Sequence, residues 1–414
     1  MRKIFVPLLL ILSWSLYSQE PLKIAVISDT HYLSSKLALP GNALDKYEAT
    51  TGRVTKDLHA VLHKVIFNLQ SYKPDILLIP GDITNHGERD SHIDFVAAIK
   101  PLADSGTRIF VVPGNHDVNV PNPKKLEGDS SLLTSNVSAE EFAQIYAPYG
   151  YASATKRDTA SLSYLAVIND NTWLLSIDSN RYNEYKTSSI SAGRILPETM
   201  QWTIEILREA KSKDILVLGM MHHGLIEHMP YQAAFFPDYL IDNWEENAQI
   251  LADNGMKIMF TGHFHSNDVS LLTSPQGNTI YDIETGSLSG YPFPYRLLTL
   301  QDNVLSIETK FVESIPDKPN LKEEYLQKSE HIVRRAAQSK INSMSLPIPS
   351  DMKDVVVDLL VKMQLLHMKG DEKLDEEMLQ LIKHLNSIIG DSDADFSSFE
   401  LDFPPADNSL KIVL

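Results

Sequence analysis

The chain has 414 residues, 43% hydrophobic and 22% charged, an ordinary globular composition with room for two or three domains at roughly 100–200 residues each. A formal charge of −17 with no dense basic run excludes a general nucleic-acid binder, because phosphate contacts need clustered Lys and Arg. The absence of cysteine excludes disulfides, thiolate metal sites and a lipid-modified cysteine near the N-terminus.

Met1-Arg2-Lys3, an almost wholly apolar stretch from Ile4 to Leu16, and the small residues Ser15 and Ser18 predict a secretory signal peptide over 1–18. That stretch falls short of the roughly 18–20 apolar residues that span a bilayer. The mature protein is therefore expected to be exported, periplasmic or secreted, with no stable membrane anchor after cleavage. Residues 22–27 predict a buried strand. Leu58, Val61, Leu62, Val65, Ile66 and Leu69 recur at helix spacing over 55–72, and Pro74 closes that helix. A strand over 75–79, a helix over 91–100 and a strand over 108–112 follow, an alternation that predicts parallel pairing through helical crossovers. Residues 118–160, rich in Pro, Asn, Ser and Gly, read as a partly helical insertion. Further strands are expected at 163–169, 173–177, 215–220, 257–260, 279–283 and 296–300, with a helix over 197–211 started by Pro197. The mixture predicts two packed sheets with helices outside. From about 314, three helical patterns follow at 321–343, 351–368 and 374–389, with Ser350 and Asp371 as caps and Gly390 as a stop. In the middle one, Val355, Leu359, Met363 and Leu366 form the expected apolar stripe. The expected organisation is a catalytic domain over 22–313, a C-terminal helical domain over 314–390 and an acidic tail over 391–414, whose apolar end reads as a last strand or a loose end.

Five short segments carry the chemistry: Asp29-Thr30-His31, Gly81-Asp82, Gly114-Asn115-His116-Asp117, His222-His223 and Gly262-His263-Phe264-His265. Each follows an apolar run, which places it at the C-terminal end of a strand, the edge where open α/β sheets hold their sites. Asp29 and His31, two apart, are expected to project to one side, as are His263 and His265 on an extended segment. Carboxylate oxygen and imidazole nitrogen together suit Mn, Fe or Zn. Asp82 follows a glycine that permits a sharp turn, and its two oxygens can bridge two ions. With Asn115, His222, His263 and His265 the donors number seven, enough for two divalent or trivalent ions with open positions. Two ions roughly 3.5–4 Å apart clamp the attacking and leaving oxygens of an in-line displacement. They also lower the pKa of bound water from about 15.7 towards 7, making a bridging hydroxide available. His116 is expected to point past the metals and protonate a leaving alkoxide or stabilise the phosphoryl group, with Asp117 holding its ring. His223 could exchange roles with His222. Asp178, Asn180 and Arg181 follow a strand and could face the substrate, and Tyr32 could stack on a base. His86, Glu88 and His92 read as the solvated start of a helix, and Glu284 to Ser287 as a turn beside the metals.

In these residues and their order the chain resembles the calcineurin-like metallophosphoesterases, whose pattern is Asp-x-His, Gly-Asp, Gly-Asn-His-Asp/Glu, His, Gly-His-x-His. The resemblance covers about residues 22–310. It implies a four-layer α/β sandwich with one metal on Asp29, His31, Asp82 and His265 and a second on Asp82, Asn115, His222 and His263. It also implies that His116 is the general acid and that the partner is a small anionic phosphoester. Ile83-Thr84-Asn85 stands where the protein Ser/Thr phosphatases carry Asp-Arg-Gly, and Asn85 supplies no metal-binding Tyr of the purple acid phosphatase kind. The pattern is most similar to the bacterial class III cyclic-nucleotide phosphodiesterase type. That implies phosphodiester hydrolysis, cyclic nucleotides included, with a phosphomonoesterase or nucleotidase on the same site as the alternative and a non-catalytic binding scaffold as the remote one.

Overall fold

The computed structural model describes residues 20–343, 352–389 and 402–414, so the expected leader and the residues Ser350 and Gly390 lie outside the described residues. The early apolar runs form the strands Leu22–Val26, Ile76–Pro80 and Arg108–Val112, which pair in parallel with Ile24 opposite Ile76 and Ile76 opposite Arg108. Their continuous apolar character follows from burial on both faces, as parallel strands under helices require. The helix Thr55–Tyr72 and the helix Arg89–Asp104 make the crossovers. Pro294–Gln301 pairs antiparallel with Leu22–Val26, Val304–Phe311 adds to it, and Ser409–Val413 closes the edge of a six-stranded sheet. The chain end thus returns to the sheet, and the tail expected after residue 390 finishes as part of it.

A second sheet has seven strands, with a parallel centre of Thr172–Ile177, Leu216–Met221, Ile258–Thr261 and Thr279–Glu284. The strand Asp268–Thr273 lies antiparallel on one edge, and Tyr164–Asn169 with Lys156–Arg157 on the other. Strand side chains alternate between faces. Accordingly Leu174, Leu218 and Phe260 share one core with Ile24, Leu78 and Val111 of the first sheet. Leu175, Val217 and Met259 share another with Ile206 of the helix Pro197–Ser212 and Leu251 of the helix Trp244–Asp253. The result is two mixed sheets flanked by helices, with further helices at the C-terminal end.

Several elements depart from the sequence reading. The helix Asn42–Thr51 was not expected: it buries Leu44 alone, too little apolar periodicity to register. The strands Asp268–Thr273 and Val304–Phe311 were also missed, because charged and hydroxyl residues interrupt their apolar positions. The insertion holds a hairpin of Lys124–Glu127 and Ser130–Leu133, then the helix Ala139–Ile145 started by a capping box of Ser138 and Glu141. In the C-terminal module the helix Leu321–Ser343 packs on the helix Lys353–Lys369 through Ile341, Val356, Val357 and Val361. Of the expected stripe only Leu359 is buried, because the helix turns a neighbouring arc of Val356, Val357 and Val361 towards Leu321–Ser343. The helix Glu376–Ile389 follows Asp375, whose carboxylate accepts from the Met378 amide at 2.8 Å. Asp371, expected to cap it, instead exchanges hydrogen bonds with Asp407 of 2.6 and 2.9 Å. No helix among the described residues is long and apolar enough to cross a membrane.

Ile412 is 2% exposed opposite Leu305, whereas Val413 is 78% exposed. Ile412→Ala is expected to cost about 2–5 kcal/mol in chemical denaturation, and Val413→Ala less than about 0.5 kcal/mol. Equal small effects would show that the last strand adds nothing to the sheet.

Candidate metal centre

Five strand ends from the two sheets converge: Leu22–Val26 leads to Asp29 and His31, Ile76–Pro80 to Asp82, Arg108–Val112 to Asn115, Leu216–Met221 to His222, and Ile258–Thr261 to His263 and His265. The connections are not extended as expected. Asp29, His31, Asp82, His263 and His265 all have left-handed backbone, with φ of 49°, 41°, 45°, 77° and 69°. Such conformations cost a non-glycine residue of the order of 1–3 kcal/mol and persist only where surroundings enforce them. Here backbone bonds do so: Asp29 N donates to Gly81 O at 3.3 Å, His31 N to Asp82 O at 2.9 Å and Gly262 N to His222 O at 3.0 Å. Two glycines permit the close approach. A Cβ at Gly114 would lie 2.2 Å from the Asp82 amide and Oδ1, and one at Gly262 would lie 2.4 Å from Asp29 Oδ2.

All seven expected donors meet in this space. His31 Nε2 lies 3.6 Å from Asp82 Oδ2 and 4.0 Å from Asp29 Oδ1, and His265 Nε2 lies 3.4 Å from Asp29 Oδ1. Across Asp82, His222 Nε2 lies 3.4 Å from Oδ1 and 3.1 Å from Asn115 Oδ1. The two Asp82 oxygens therefore face different donor sets. His222 Nδ1 donates to Pro80 O at 2.8 Å, which leaves Nε2 free to ligate. His223 is also present: Ser179 Oγ holds its Nδ1 at 2.8 Å, its Nε2 has no partner, and with His222 and His263 it offers atoms within 4.8 Å of one another. His222 is nevertheless the member of the pair whose nitrogen meets Asp82 and Asn115.

The residues fit a pair of metal ions. Donors bound about 2.0–2.2 Å from one ion stand about 3–4 Å apart, the range found among Asp29, His31, Asp82 and His265 and among Asp82, Asn115 and His222, while His263 Nε2 lies 3.2 Å from Asp238 O. Asp29 Oδ1 and His31 Nδ1 are buried without hydrogen-bond partners, a cost that a cation or a repositioned ligand removes. The charges point the same way. Burial pushes the Asp82 carboxyl up, but the imidazoles of His222 and His116 more than offset it and hold it well below the ordinary range. Burial lowers His222, yet Asp82 beside it lifts this imidazole to about 9. Burial, then Arg53, keeps His31 well below the usual histidine value.

His116 lies where expected, beside the donors and half-buried. Its amide donates to Asp82 Oδ1 at 2.8 Å, its Nδ1 is 3.0 Å from His86 Nδ1, and its Nε2 is 3.3 Å from an Arg53 nitrogen. Burial holds its pKa well below the usual range, against the pull of Asp82 and with the help of Arg53. Asp117 does not hold the His116 ring. Its carboxylate accepts from the amides of Ile83, Thr84 and Gly114 at 3.1, 2.8 and 2.8 Å, so it ties the two loops together.

The expected substrate contacts are placed otherwise. Asp178 is buried and accepts from the amides of Leu162 and Asn180 and from the Tyr182 hydroxyl, while Asn180 Nδ2 donates to Pro113 O at 2.6 Å. Both brace the turn that presents Asn115. Arg181 is paired with Glu184 at 2.6 Å. Tyr32 is 7% exposed and stacks on His59 at 4.6 Å, so no base can reach its face. Glu88 and His92 are buried, not solvated. His92 bonds Tyr146 and the Asp117 carbonyl, because this helix start packs beneath the Asp82 loop. Arg53 is a functional candidate that sequence reasoning missed, and His86, read as part of a solvated helix start, is half-buried against His116. Arg53 donates to Tyr47, to the Asn85 carbonyl and to the Asn85 side chain at 3.0, 2.9 and 2.7 Å. An isolated arginine after an unrecognised helix carries no motif that could have marked it. Ser287, in the turn expected beside the metals, donates to Asp29 O at 2.8 Å.

A family model described as calcineurin-like phosphoesterase matches residues 22–267. An uncharacterized metallophosphoesterase-like protein YydB of Bacillus subtilis is 21% identical over 332 residues, covering 73% of this chain and 61% of that protein. A probable glycerophosphodiester phosphodiesterase GpdQ of Arcobacter nitrofigilis is 35% identical over 99 residues, covering 24% of this chain and 31% of that protein. The chain thus spans less than two thirds of the length of these curated relatives. Among solved structures, a dimetal phosphatase from Danio rerio is similar with a TM-score of 0.49 and 15% identity, covering 70% of this chain and 97% of that one.

Gly262→Ala should displace Asp29 and lower bound metal per chain by about half or more, given the role of the first set in holding an ion. Gly290→Ala, whose Cβ would meet nothing within 4 Å, should leave metal content unchanged. Elemental analysis beside circular dichroism checks this, and full metal content in Gly262→Ala would refute the close-approach argument.

Proposed function

The chain belongs to the calcineurin-like phosphoesterase family, hydrolases of phosphate esters, and from that premise we propose that it is an exported phosphodiesterase with a dinuclear centre built on Asp82. The observation that carries the proposal is the division of the Asp82 carboxylate, Oδ2 towards His31 and Oδ1 towards His222. In this reading Asp29, His31, Asp82 and His265 hold one ion, and Asp82, Asn115, His222 and His263 the other. When bound, such a pair acidifies water and neutralises phosphoryl oxygens.

The chain's own residues do the rest. His265, His116, His86 and Arg53 are the half-buried members of the group, so they form the mouth through which an ester enters. Arg53 brings a fixed guanidinium to within 3.3 Å of His116 Nε2, so that one phosphoryl oxygen beside the pair could contact both. His116, anchored through its amide to Asp82, stands where it can pass a proton to the leaving alkoxide. A diester carries one negative charge, which Arg53 matches, and the stretch similar to a probable glycerophosphodiester phosphodiesterase favours the same class. Diesters outside the cytoplasm, cyclic nucleotides among them, are the proposed substrates, and the leader at 1–18 supports export.

The test is hydrolysis by the chain from Gln19 onward with Mn²⁺, comparing bis-nitrophenyl phosphate, nitrophenyl phosphate and a cyclic nucleotide. The diester should be preferred, and Asp82→Ala should abolish turnover. His116→Ala should lower kcat about 10²–10⁴-fold on esters with poor leaving groups and far less on nitrophenyl esters, with metal content kept. Preference for the monoester would overturn the diesterase reading, and equal losses in His116→Ala would reject the proton-donor role.

A further inference from the structure

A second histidine–carboxylate cluster lies where the C-terminal helices meet the second sheet. His228 comes from the loop after Leu216–Met221, Asp268 opens the strand Asp268–Thr273, and His367 sits in the last turn of Lys353–Lys369. They are 2%, 0% and 5% exposed, and one ligand-capable atom of each lies within 4.8 Å of the others. The two imidazole rings stack with centroids 4.9 Å apart and planes 8° from parallel.

Each imidazole has one nitrogen engaged, by a carboxylate in His367 and by an amide in His228, and the other without a partner. His228 Nε2 accepts from the Gln232 side-chain amide at 2.9 Å, with Glu284 Oε2 3.0 Å away, while His228 Nδ1 has no partner. His367 Nδ1 bonds Glu372 Oε1, while His367 Nε2 has no partner. Asp268 Oδ2 and Glu372 Oε2 are also buried without partners. A carboxylate on one nitrogen with the other nitrogen unpartnered, as in His367, is how metal-bound histidines are oriented. Each orphaned polar atom would otherwise cost about 1–3 kcal/mol.

Charge balance leads to the same place. Asp268, Glu284, Glu372 and Asp407 are all buried here. The buried Arg296 is the cation beside them, but its nitrogens donate to the main-chain oxygens of Asp268, Glu284 and Asp407 and to the Thr309 hydroxyl, not to carboxylates. Even with these acids neutral, the two unpartnered imidazole nitrogens and Asp268 Oδ2 would remain buried without hydrogen bonds.

We propose that His228, Asp268 and His367 bind a further divalent ion, zinc by class, which fastens the C-terminal helices to the rest of the chain, with Glu372 orienting the His367 imidazole. Two imidazoles and a carboxylate form a nitrogen–oxygen set that zinc accepts. The position gives the ion a reach into the active centre. The Phe264 ring, between His263 and His265, packs edge-on against His228 at 4.7 Å and His367 at 5.4 Å. Asn267 Nδ2 donates to Met368 O at 3.0 Å, holding the same loop to the same helix end. The inference stands on these residues alone and does not require the phosphodiesterase reading.

The experiment is zinc stoichiometry and thermal unfolding on the whole mature chain, stripped with chelator, then dialysed against zinc chloride. Wild type should bind about three ions, His367→Ala about two, and Asp82→Ala should keep at least about one. Zinc should raise the Tm of Asp82→Ala but not of Asp82→Ala/His367→Ala. If His367→Ala fails to fold, Glu372→Gln should weaken one zinc about 10–100-fold. Unchanged stoichiometry and affinity in the His367 and Glu372 variants would overturn the proposal, as would an Asp82→Ala protein with no zinc. A wild type whose only zinc is lost with His367→Ala would uphold it while rejecting the dinuclear centre.

Discussion

A carboxylate removed from water must be compensated by nearby positive charge, or it neutralises. Asp82 is 2% exposed, and its neighbours are arranged around that constraint. His31 faces one oxygen, His222 and the His116 amide face the other, and Gly114 is bare so that its loop can close over the same group. The left-handed backbone at Asp29, His31, Asp82, His263 and His265 is the conformational cost of bringing strand ends from two sheets to one point. Parallel strands under helices supply the rigidity needed to hold that strain.

The outer residues act by holding the inner ones. Asp117 binds three amides of two loops, Asp178 and Asn180 brace the turn before Asn115, and Ser179 fixes the ring of His223. These side chains carry charge or polarity close to the site yet are taken up by hydrogen bonds within the protein. Reading them as contacts mistakes proximity along the chain for direction in space. The same distinction separates His116, whose ring reaches Arg53 and His86, from its neighbour Asp117.

Much of this was legible in the sequence because apolar runs and short donor motifs alternate regularly. The helix Thr55–Tyr72 and the strand Arg108–Val112 stand where periodicity placed them, and the strand ends that carry the expected donors converge. What was not legible depended on tertiary contact. Val304–Phe311 intersperses Ser306, Glu308 and Lys310 among apolar residues, and its strand character emerges only against its neighbours. Arg53 belongs to no motif. His228, Asp268 and His367 are far apart in sequence, and only the docking of the last helices makes them neighbours. Glu88 and His92 looked like a solvated helix start because hydrophilic residues there usually are; burial beneath the Asp82 loop overrides that tendency.

The central claim is that Asp82 joins two ions into one unit. Electron paramagnetic resonance of the Mn²⁺-loaded chain, titrated from one to two equivalents, tests it most directly. A spectrum of exchange-coupled manganese growing in with the second equivalent, and replaced by uncoupled manganese in Asp82→Asn, is the predicted result. Isolated manganese at every loading in the wild-type chain would contradict it.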